Sequence, residues 1–356
     1  MAKGTLTLAD LQATQNAQTV ARVGIDRTFE AITNTLAAHN RIMQEIYQDF
    51  VEVTTDESDR YGGVDTVKFE IGDELTVPHP WKVTAGATVG LPLNAFLSGY
   101  QWSEMWMKKH TVRELVAQMN AILDADALQL IRDMKRAFFY SSNYTHTDYL
   151  NRGIDLFVKR LVNADNQPLP PGPNGEQFPA NTHTHYLPRL GGAATVADYD
   201  AAVNTVREHY ATGEILTVIT SADEPAVRAL PGFVPYLDPR LTPANTTVNA
   251  SGVKLNPINF NNRAVGIMSS NGSEVWVKPW GITSYPAFWN PRAPKPIRWR
   301  YDTDYGQDLV LIYEVGDRQP LNAKGWRRVY GFGAYNRING SVLFTGGTVY
   351  ADPVIN

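Results

Sequence analysis

Residues 111–140 read TVRELVAQMNAILDADALQLIRDMKRAFFY and form the longest uninterrupted helix pattern in the sequence. Thr111 and Glu114 match a capping box, in which each side chain accepts a hydrogen bond from a backbone donor that the first helical turn leaves free. No glycine or proline interrupts the stretch. At about 1.5 Å per residue, it predicts a rod roughly 45 Å long. Such a helix either spans a whole domain as the support for its sheets or is an ordinary long core helix.

One face of this predicted helix is apolar. Apolar side chains recur at steps of three and four residues, which is the spacing that keeps them on one helix face. They are Val112, Leu115, Val116, Met119, Ile122, Leu123, Leu128, Ile131, Met134 and Phe138. We expect this stripe to face a sheet.

The composition predicts a folded protein with more than one lobe. The chain has 356 residues, of which 43% are hydrophobic and 19% are charged. Its net charge of −4 implies no general attraction to nucleic acid or to an anionic membrane. The absence of cysteine excludes disulfides, thiolate metal sites and cysteine nucleophiles. The sequence shows neither a secretory signal nor a membrane-spanning run, which predicts a protein made and kept in a cytoplasm.

Two segments before the long helix look suited to contact another surface. Residues 8–19, LADLQATQNAQT, are too polar to bury themselves and suggest an arm, which a helix with an imperfect apolar stripe follows. Strand patterns at 64–71 and 81–93 flank the turn-prone GDELTVPHP and predict a long two-stranded ribbon. An isolated hairpin is marginally stable, so the ribbon lies on another subunit or on its own domain.

The segment that enters the long helix and the lobe that follows it also have clear patterns. Trp102 and Trp106 are four residues apart, which places them on one helical face and predicts core packing at the start of the long helix. A capped helix from Thr195, a buried strand at 214–220 and a short helix near 221–230 indicate an α/β lobe. Further strand patterns follow at 263–270, 273–279, 297–302 and 308–316.

The histidine pair His183 and His185 is the one candidate for metal chemistry. Alternate residues of a strand could offer both imidazoles to a metal, and His146 or Asp148 could add ligands. The pair lies in the Pro-, Gly- and Asn-rich stretch 167–188, which lacks a packing signal. We therefore favour an exposed loop without metal over a metal site.

Other chemical motifs are weak. The sequence has no nucleophile elbow and no phosphate-binding glycine loop. The acidic pairs Asp73–Glu74 and Asp302–Asp304 are better explained by loop solvation than by acid–base catalysis. The basic cluster 291–301 and the pair Arg327–Arg328 could contact phosphate, although charges at strand edges are the commoner explanation. The sequence therefore predicts a structural protein rather than an enzyme, with no cofactor.

The order of arm, ribbon, long helix, α/β lobe and returning strands resembles the major capsid protein of tailed bacteriophages, the Hong Kong 97-type fold. The most specific similarities are ATVGLPL at 87–93 leading into WSEMW, and GFGAYNRINGSVLFTGG at 331–347 with Arg337 at the characteristic arginine. The resemblance covers nearly the whole chain.

The resemblance implies an α+β fold with five segments. These are an N-terminal arm (1–50), an extended hairpin called the E-loop (51–100), a peripheral domain (101–194) with the spine helix 111–140, an α/β axial domain (195–320), and C-terminal strands returning to the peripheral domain (321–356). The E-loop would lie over a neighbouring subunit and the arm would reach under or across one. Loops within 235–262 would line the capsomer centre.

The resemblance also implies a function. Pentamers and hexamers of the chain would form an icosahedral shell that packages double-stranded DNA without sequence specificity, in a virion assembled in the host bacterial cytoplasm. Separate scaffolding, portal and decoration proteins would be partners, and no membrane would be involved. The alternatives are an encapsulin-type compartment of the same fold, a phage tail or adaptor component, and a metal-dependent hydrolase that uses His183 and His185.

The charged and aromatic residues of the ribbon and the spine helix are candidates for inter-subunit contacts. On the spine helix, the polar face with Gln118 and Asp126 would meet neighbouring subunits. Some family members crosslink an E-loop lysine to an asparagine, but no motif fixes such a pair here and we predict no crosslink. The predicted contacts are Lys68, Glu70, Asp73, Glu74, Trp81, Lys82, Arg113, Arg132 and Arg337.

Overall fold

The structure is a computed structural model of the chain. It describes residues 6–48, 50–61, 71–73, 77, 87–210, 213–236, 262–315 and 321–355. Within these ranges the chain forms seven helices: α1 (Leu8–Gln15), α2 (Val20–Val23), α3 (Ile25–Tyr47), α4 (Glu104–Lys109), α5 (Val112–Phe139), α6 (Val196–Arg207) and α7 (Glu224–Arg228). None of the helices in the described ranges is long and apolar enough to cross a membrane.

Sixteen strands lie in the same ranges. They are β1 (Val51–Thr54), β2 (Ser58–Tyr61), β3 (Ala87–Gly90), β4 (Asn94–Ser103), β5 (Tyr144–Asp148), β6 (Ile154–Val158), β7 (Tyr186–Pro188), β8 (Leu216–Ile219), β9 (Phe233–Pro235), β10 (Arg263–Met268), β11 (Glu274–Val277), β12 (Ala287–Trp289), β13 (Ile297–Arg300), β14 (Val310–Val315), β15 (Leu321–Ala334) and β16 (Ser341–Phe344). The mixture of helices and sheets confirms the predicted α+β class.

Helix α5 is the predicted spine helix. Its capping box forms as expected, with the Thr111 backbone N–H donating to Glu114 Oε2 at 2.7 Å. The predicted stripe is wrong at Leu128, which is 64% exposed, whereas Leu130 is fully buried. Two residues correspond to about 200° around a helix, so these two leucines point to opposite sides.

The two halves of α5 pack on different partners. The first half, with Leu115 and Met119, lies in a cluster with the N-terminal helices α1–α3. The second half, with Leu130 and Phe138, lies in a larger cluster that includes residues of both large sheets. The spine helix therefore connects the N-terminal helices to the core between the sheets.

The N-terminal segment packs on its own chain. Leu8 and Leu11 of α1 are buried against α3 and α5, so the expectation that this segment cannot bury itself is wrong. The two leucines lie on one face of this short helix and supply its apolar contact. A capping box closed by Asp10 satisfies the free backbone N–H groups of its first turn. The backbone N–H of Val112 also donates to Gln18 O at 2.9 Å, which joins this segment to the start of the spine helix.

The first large sheet has five strands. Its order is β1-β13-β15-β14, and β4 pairs with β15 as well. Trp102 lies on β4 and Trp106 on α4, so the prediction that they share a helical face is wrong. Their role in packing is confirmed, because the two rings lie 6.1 Å apart and Trp102 is buried against the first half of the spine helix.

The second large sheet has seven strands in the order β7-β16-β12-β8-β11-β10-β9. Helix α6 begins at a capping box between Thr195 and Asp198 and packs its apolar face on this sheet through Tyr199 and Val203. The predicted succession of capped helix, buried strand and short helix is therefore present in α6, β8 and α7.

The two large sheets combine strands from several of the predicted segments. Strands β13 and β14, from the segment predicted as axial, pair with β15 of the C-terminal segment. Strand β16 joins the second sheet, and β1, from the predicted E-loop, pairs in parallel with β13. Sequence order alone did not reveal these long-range pairings.

The predicted ribbon is described only at its base. Strands β2 and β3 pair antiparallel, with Tyr61 opposite Ala87. All but the last residue of the strand predicted at 64–71 and the first six residues of the one predicted at 81–93 lie outside the described residues, as do most of the predicted axial loops at 235–262.

Candidate functional site

Strands β2 and β3 form the described base of the predicted E-loop. Tyr61 and Ala87, which flank residues 62–86, lie opposite each other. The backbone N–H of Leu91 donates to Glu57 O at 2.9 Å, just beyond the paired strands. The two strands that flank residues 62–86 are thus held together.

Arg298 of β13 fixes the outer side of this base. Its Nη1 donates to Asp59 Oδ2 at 2.6 Å, and its Nε lies 3.4 Å from Glu52 Oε2. Its guanidinium carbon lies 3.4 Å from the centre of the Tyr335 ring. These contacts join β2 to the five-stranded sheet.

Arg300, two residues further along β13, fixes the inner side. Its Nη1 donates to Leu91 O at 2.7 Å and to Asp148 Oδ2 at 2.8 Å, and both charged side chains are buried. A buried ion pair needs further hydrogen bonds to offset the cost of removing its charges from water, and Leu91 O accepts one of them here. The base of the E-loop, the five-stranded sheet and the β5–β6 hairpin therefore share one polar junction.

The β5–β6 hairpin supports the base with one face and is exposed on the other. A Cβ on Gly90 of β3 would lie 2.8 Å from Leu156 Cβ, so only glycine permits this close approach to β6. Phe157 lies on the face of β6 opposite to Leu156 and is 65% exposed, and Tyr149, Leu150 and Ile154 are exposed at the turn end of the hairpin. Several exposed apolar side chains on one hairpin of a folded subunit suggest a protein–protein interface.

The predicted contact residues differ in where they lie. Asp73 and Arg113 are exposed, and Arg132 is half-buried with its Nη1 3.3 Å from Gln129 Oε1. The remaining ribbon residues, Lys68, Glu70, Glu74, Trp81 and Lys82, lie outside the described residues. Arg337 is treated separately because the structure contradicts its predicted role.

Arg337 is fully buried and cannot contact another subunit, so that prediction is wrong. Its Nε donates to Arg160 O at 2.6 Å, and its Nη2 lies 2.9 Å from both Asn163 Oδ1 and Asp165 Oδ2. Burial acts to raise the pKa of Asp165, but the charge and hydrogen bond of Arg337 outweigh it and hold that pKa below its usual value. This arginine organises residues 160–165.

The polar face predicted on the spine helix is also used internally. Gln118 Oε1 accepts from the indole N–H of Trp102 at 2.7 Å, and Asp126 Oδ1 accepts from Arg328 Nε at 2.7 Å. Asp126 Oδ2 lies 2.8 Å from His39 Nε2 as well. Gln118 and Asp126 are half-buried and have partners within the subunit, and their contacts with neighbouring subunits stay predictions.

The basic residues considered for phosphate binding have partners in the subunit. Arg328 is buried with Asp126 rather than at a strand edge, and Arg327 lies over the Tyr305 ring at 4.3 Å. In the 291–301 cluster, Arg292 pairs with Glu214 at 2.9 Å, while Arg298 and Arg300 hold the E-loop base. These arginines are used to fix the fold.

The histidine pair lies in a cluster that the sequence only half predicted. The Nε2 atoms of His183, His185 and His209 are 3.1–3.2 Å from one another, and Glu208 Oε1 is 3.3 Å from His183 Nε2. His185 and His209 are buried, so the expectation of a solvated loop is wrong here.

The other predicted ligands are elsewhere. His146 contacts the backbone of Leu93, and Asp148 pairs with Arg300. Glu208 and His209 were missed because they follow the capped helix α6, more than twenty residues after the pair. An adjacent Glu–His at the end of a helix was the only available signal for them.

Comparison with solved structures identifies the fold. A chain from Mycobacterium phage Patience aligns with 99% of this chain and 96% of its own length, with a TM-score of 0.67 and 20% identity. A chain from the capsid of a native GTA particle aligns with 84% of this chain and 89% of its own, with a TM-score of 0.47 and 13% identity.

An encapsulin, the holo-SrpI complex from Synechococcus elongatus, aligns with 86% of this chain and 89% of its own, with a TM-score of 0.40 and 10% identity. No protein-family model and no curated protein sequence matches this chain. The full-length structural match confirms the predicted Hong Kong 97-type fold.

Proposed function

We propose that this chain is the major capsid protein of a tailed bacteriophage, a structural subunit rather than an enzyme. Its pentamers and hexamers build an icosahedral shell in the virion. The observation that carries the proposal is the structural match to a chain from Mycobacterium phage Patience, which covers nearly all of both chains at a TM-score of 0.67. In this proposal, a second copy of the chain covers the apolar side chains that the single subunit leaves exposed.

The E-loop and the β5–β6 hairpin are the surfaces on which this proposal rests. Arg298 and Arg300 hold the base of the proposed E-loop in place, and the β5–β6 hairpin, which carries the exposed Phe157, packs against that base. Shells of this kind gain stability because many modest contacts act together and symmetry closes the assembly. The function is therefore a property of interfaces.

Double-stranded DNA is the proposed content of the shell, held without sequence recognition. Several arginines that could contact phosphate are engaged within the subunit, and the net charge is only −4. Counterions screen a mildly negative wall from DNA beyond about 10 Å at ordinary salt. Separate scaffolding, portal and decoration proteins are the proposed partners, and the proposed place of assembly is the host bacterial cytoplasm.

Removal of the E-loop beyond its base tests the proposal. Residues 62–86 are replaced by Asn-Gly, because a two-residue turn of this type closes an antiparallel pair such as Tyr61 and Ala87. The variant is expected to keep the circular dichroism spectrum and cooperative unfolding of the parent but to form no stable shells. Normal particles from this variant would overturn the proposal.

The content of the particles distinguishes a phage capsid from an encapsulin. Particles assembled during infection are treated with nuclease, opened, and analysed for DNA and for co-purifying proteins. Protected double-stranded DNA is the expected result. A single abundant enzyme inside otherwise DNA-free particles would contradict the proposed content while leaving the shell-forming role intact.

A further inference from the structure

The histidine cluster joins three parts of the subunit. His183 and His185 lie at the end of the Pro-rich loop before β7, and Glu208 and His209 lie just after α6. His185 Nδ1 is 2.6 Å from the backbone oxygen of Gly340, next to the start of β16. The candidate ligand atoms of the two histidines, Glu208 and His209 all lie within 4.8 Å of one another.

Hydrogen bonds alone cannot satisfy this arrangement. Each of the three Nε2 atoms either carries a proton or presents a lone pair. Among three mutually adjacent atoms with two possible states, at least two must share a state. At separations of 3.1–3.2 Å, one pair in the triangle of His183, His185 and His209 is therefore repulsive in any assignment of protons. A cation that accepts all three lone pairs removes this repulsion.

The hydrogen bond to Gly340 fixes which ring nitrogen of His185 carries the proton. A carbonyl oxygen only accepts, so His185 Nδ1 carries the proton and donates it to Gly340 O. The Nε2 atom of His185 then presents its lone pair toward His183 and His209. Histidines that bind metals commonly donate their second nitrogen to a backbone carbonyl or carboxylate in this way.

From this geometry we propose that His183, His185, His209 and Glu208 bind one structural Zn²⁺ ion. Tetrahedral coordination at about 2.0–2.1 Å places neighbouring ligand atoms about 3.3 Å apart, close to the separations of 3.1–3.3 Å that four of the pairs show. Three imidazoles with a carboxylate suit Zn²⁺ better than Mg²⁺ or Ca²⁺, which prefer oxygen ligands.

The proposed ion is structural because protein side chains supply all four of its ligands. Catalytic zinc sites keep one position open for water or substrate, whereas Glu208 supplies the fourth ligand here. The Phe178 ring covers the cluster, with its centre 5.0 Å from that of His183 and 4.3 Å from that of His209. The ion would pin the Pro-rich loop to the end of α6.

Metal content tests the proposal directly. The full chain without a histidine tag is purified, supplied with Zn²⁺, freed of unbound metal by gel filtration and analysed by mass spectrometry. About one Zn²⁺ per chain is expected, falling to below a tenth in His209→Ala and in His185→Ala. His110→Ala is the matched control, because this half-exposed imidazole lies outside the cluster, and it should retain the full zinc content. A parent chain that retains no zinc would overturn the proposal.

Thermal unfolding of the unmodified chain keeps the test decisive if the alanine variants fail to fold. Removal of zinc with a chelator should lower Tm by at least about 5 °C, because a ligand bound only by the folded state stabilises that state. Added Zn²⁺ should restore Tm, while added Mg²⁺ should not. Identical Tm values with chelator and with Zn²⁺ would contradict a structural ion.

Discussion

Arg300 Nη1 lies 2.8 Å from Asp148 Oδ2, and the same Nη1 donates to Leu91 O at 2.7 Å. Both charged side chains are buried, so the pair is shielded from water and from salt. One guanidinium thus joins a strand of the five-stranded sheet, the β5–β6 hairpin and the base of the E-loop. The base of the proposed E-loop is therefore held by buried residues of its own subunit.

Replacement of Arg300 by leucine should therefore cost much stability. Asp148 would remain buried without its partner, and loss of one member of a buried ion pair costs about 3–5 kcal/mol. Urea unfolding of Arg300→Leu measures this loss. Arg292→Leu is the control, because the Arg292–Glu214 pair is exposed and such pairs contribute about 0–1 kcal/mol. Equal losses in both variants would contradict the role assigned to the buried pair.

The two leucines near the middle of the spine helix should behave differently. Leu130→Ala removes a fully buried side chain from the main core and should lower the free energy of unfolding by about 2–5 kcal/mol. Leu128→Ala removes an exposed side chain and should change it by less than about 0.5 kcal/mol. Denaturant unfolding of both variants checks the orientation of the helix, and a larger loss at Leu128 would show that the assigned face is wrong.

Gly331 of β15 should tolerate no side chain. A Cβ at this position would lie 1.9 Å from the backbone oxygen of Pro92. This is a backbone atom, so it cannot rotate away as the end of a flexible side chain can. We expect Gly331→Ala to cost at least about 1–3 kcal/mol of unfolding free energy, as overpacking does. Gly191→Ala, where a Cβ would meet nothing within 4 Å, is the control and should be close to neutral in a thermal unfolding comparison. A neutral Gly331→Ala would rule out this close approach.

The exposed face of the β5–β6 hairpin should matter for assembly and not for folding. Phe157→Glu places a charge on a side chain that is 65% exposed, so the subunit should unfold as the parent does. A charge buried between subunits is costly, so particle yield in sedimentation should fall at least tenfold. Phe157→Leu keeps an apolar surface and should assemble. Equal yields from both variants would place this face outside the subunit contacts.

The parts of the fold that depend on local sequence could be predicted. The spine helix is fixed by Thr111, Glu114 and a long run of helix-forming residues without glycine or proline, and α6 by the same kind of cap at Thr195. These signals act within a few residues, so a single sequence displays them. The resemblance then supplied the fold, which the full-length structural match confirmed.

The parts that depend on distant partners could not be predicted. Arg337 and Asp126 look like surface charges in sequence, but their partners lie more than 150 residues away, so their burial is invisible locally. His209 likewise meets His185 only after α6 packs on the second sheet. For this reason Arg337 was assigned to a contact between subunits, and Glu208 and His209 were missed.

Electron microscopy of the purified, concentrated chain tests the central claim most directly. The proposed function predicts closed icosahedral shells, or the pentameric and hexameric capsomers from which they are built. The variant without residues 62–86 should give neither stable shells nor shell fragments under the same conditions. A chain that stays monomeric at every concentration, or that forms only open rings and tubes, would contradict the proposal that it is a capsid protein.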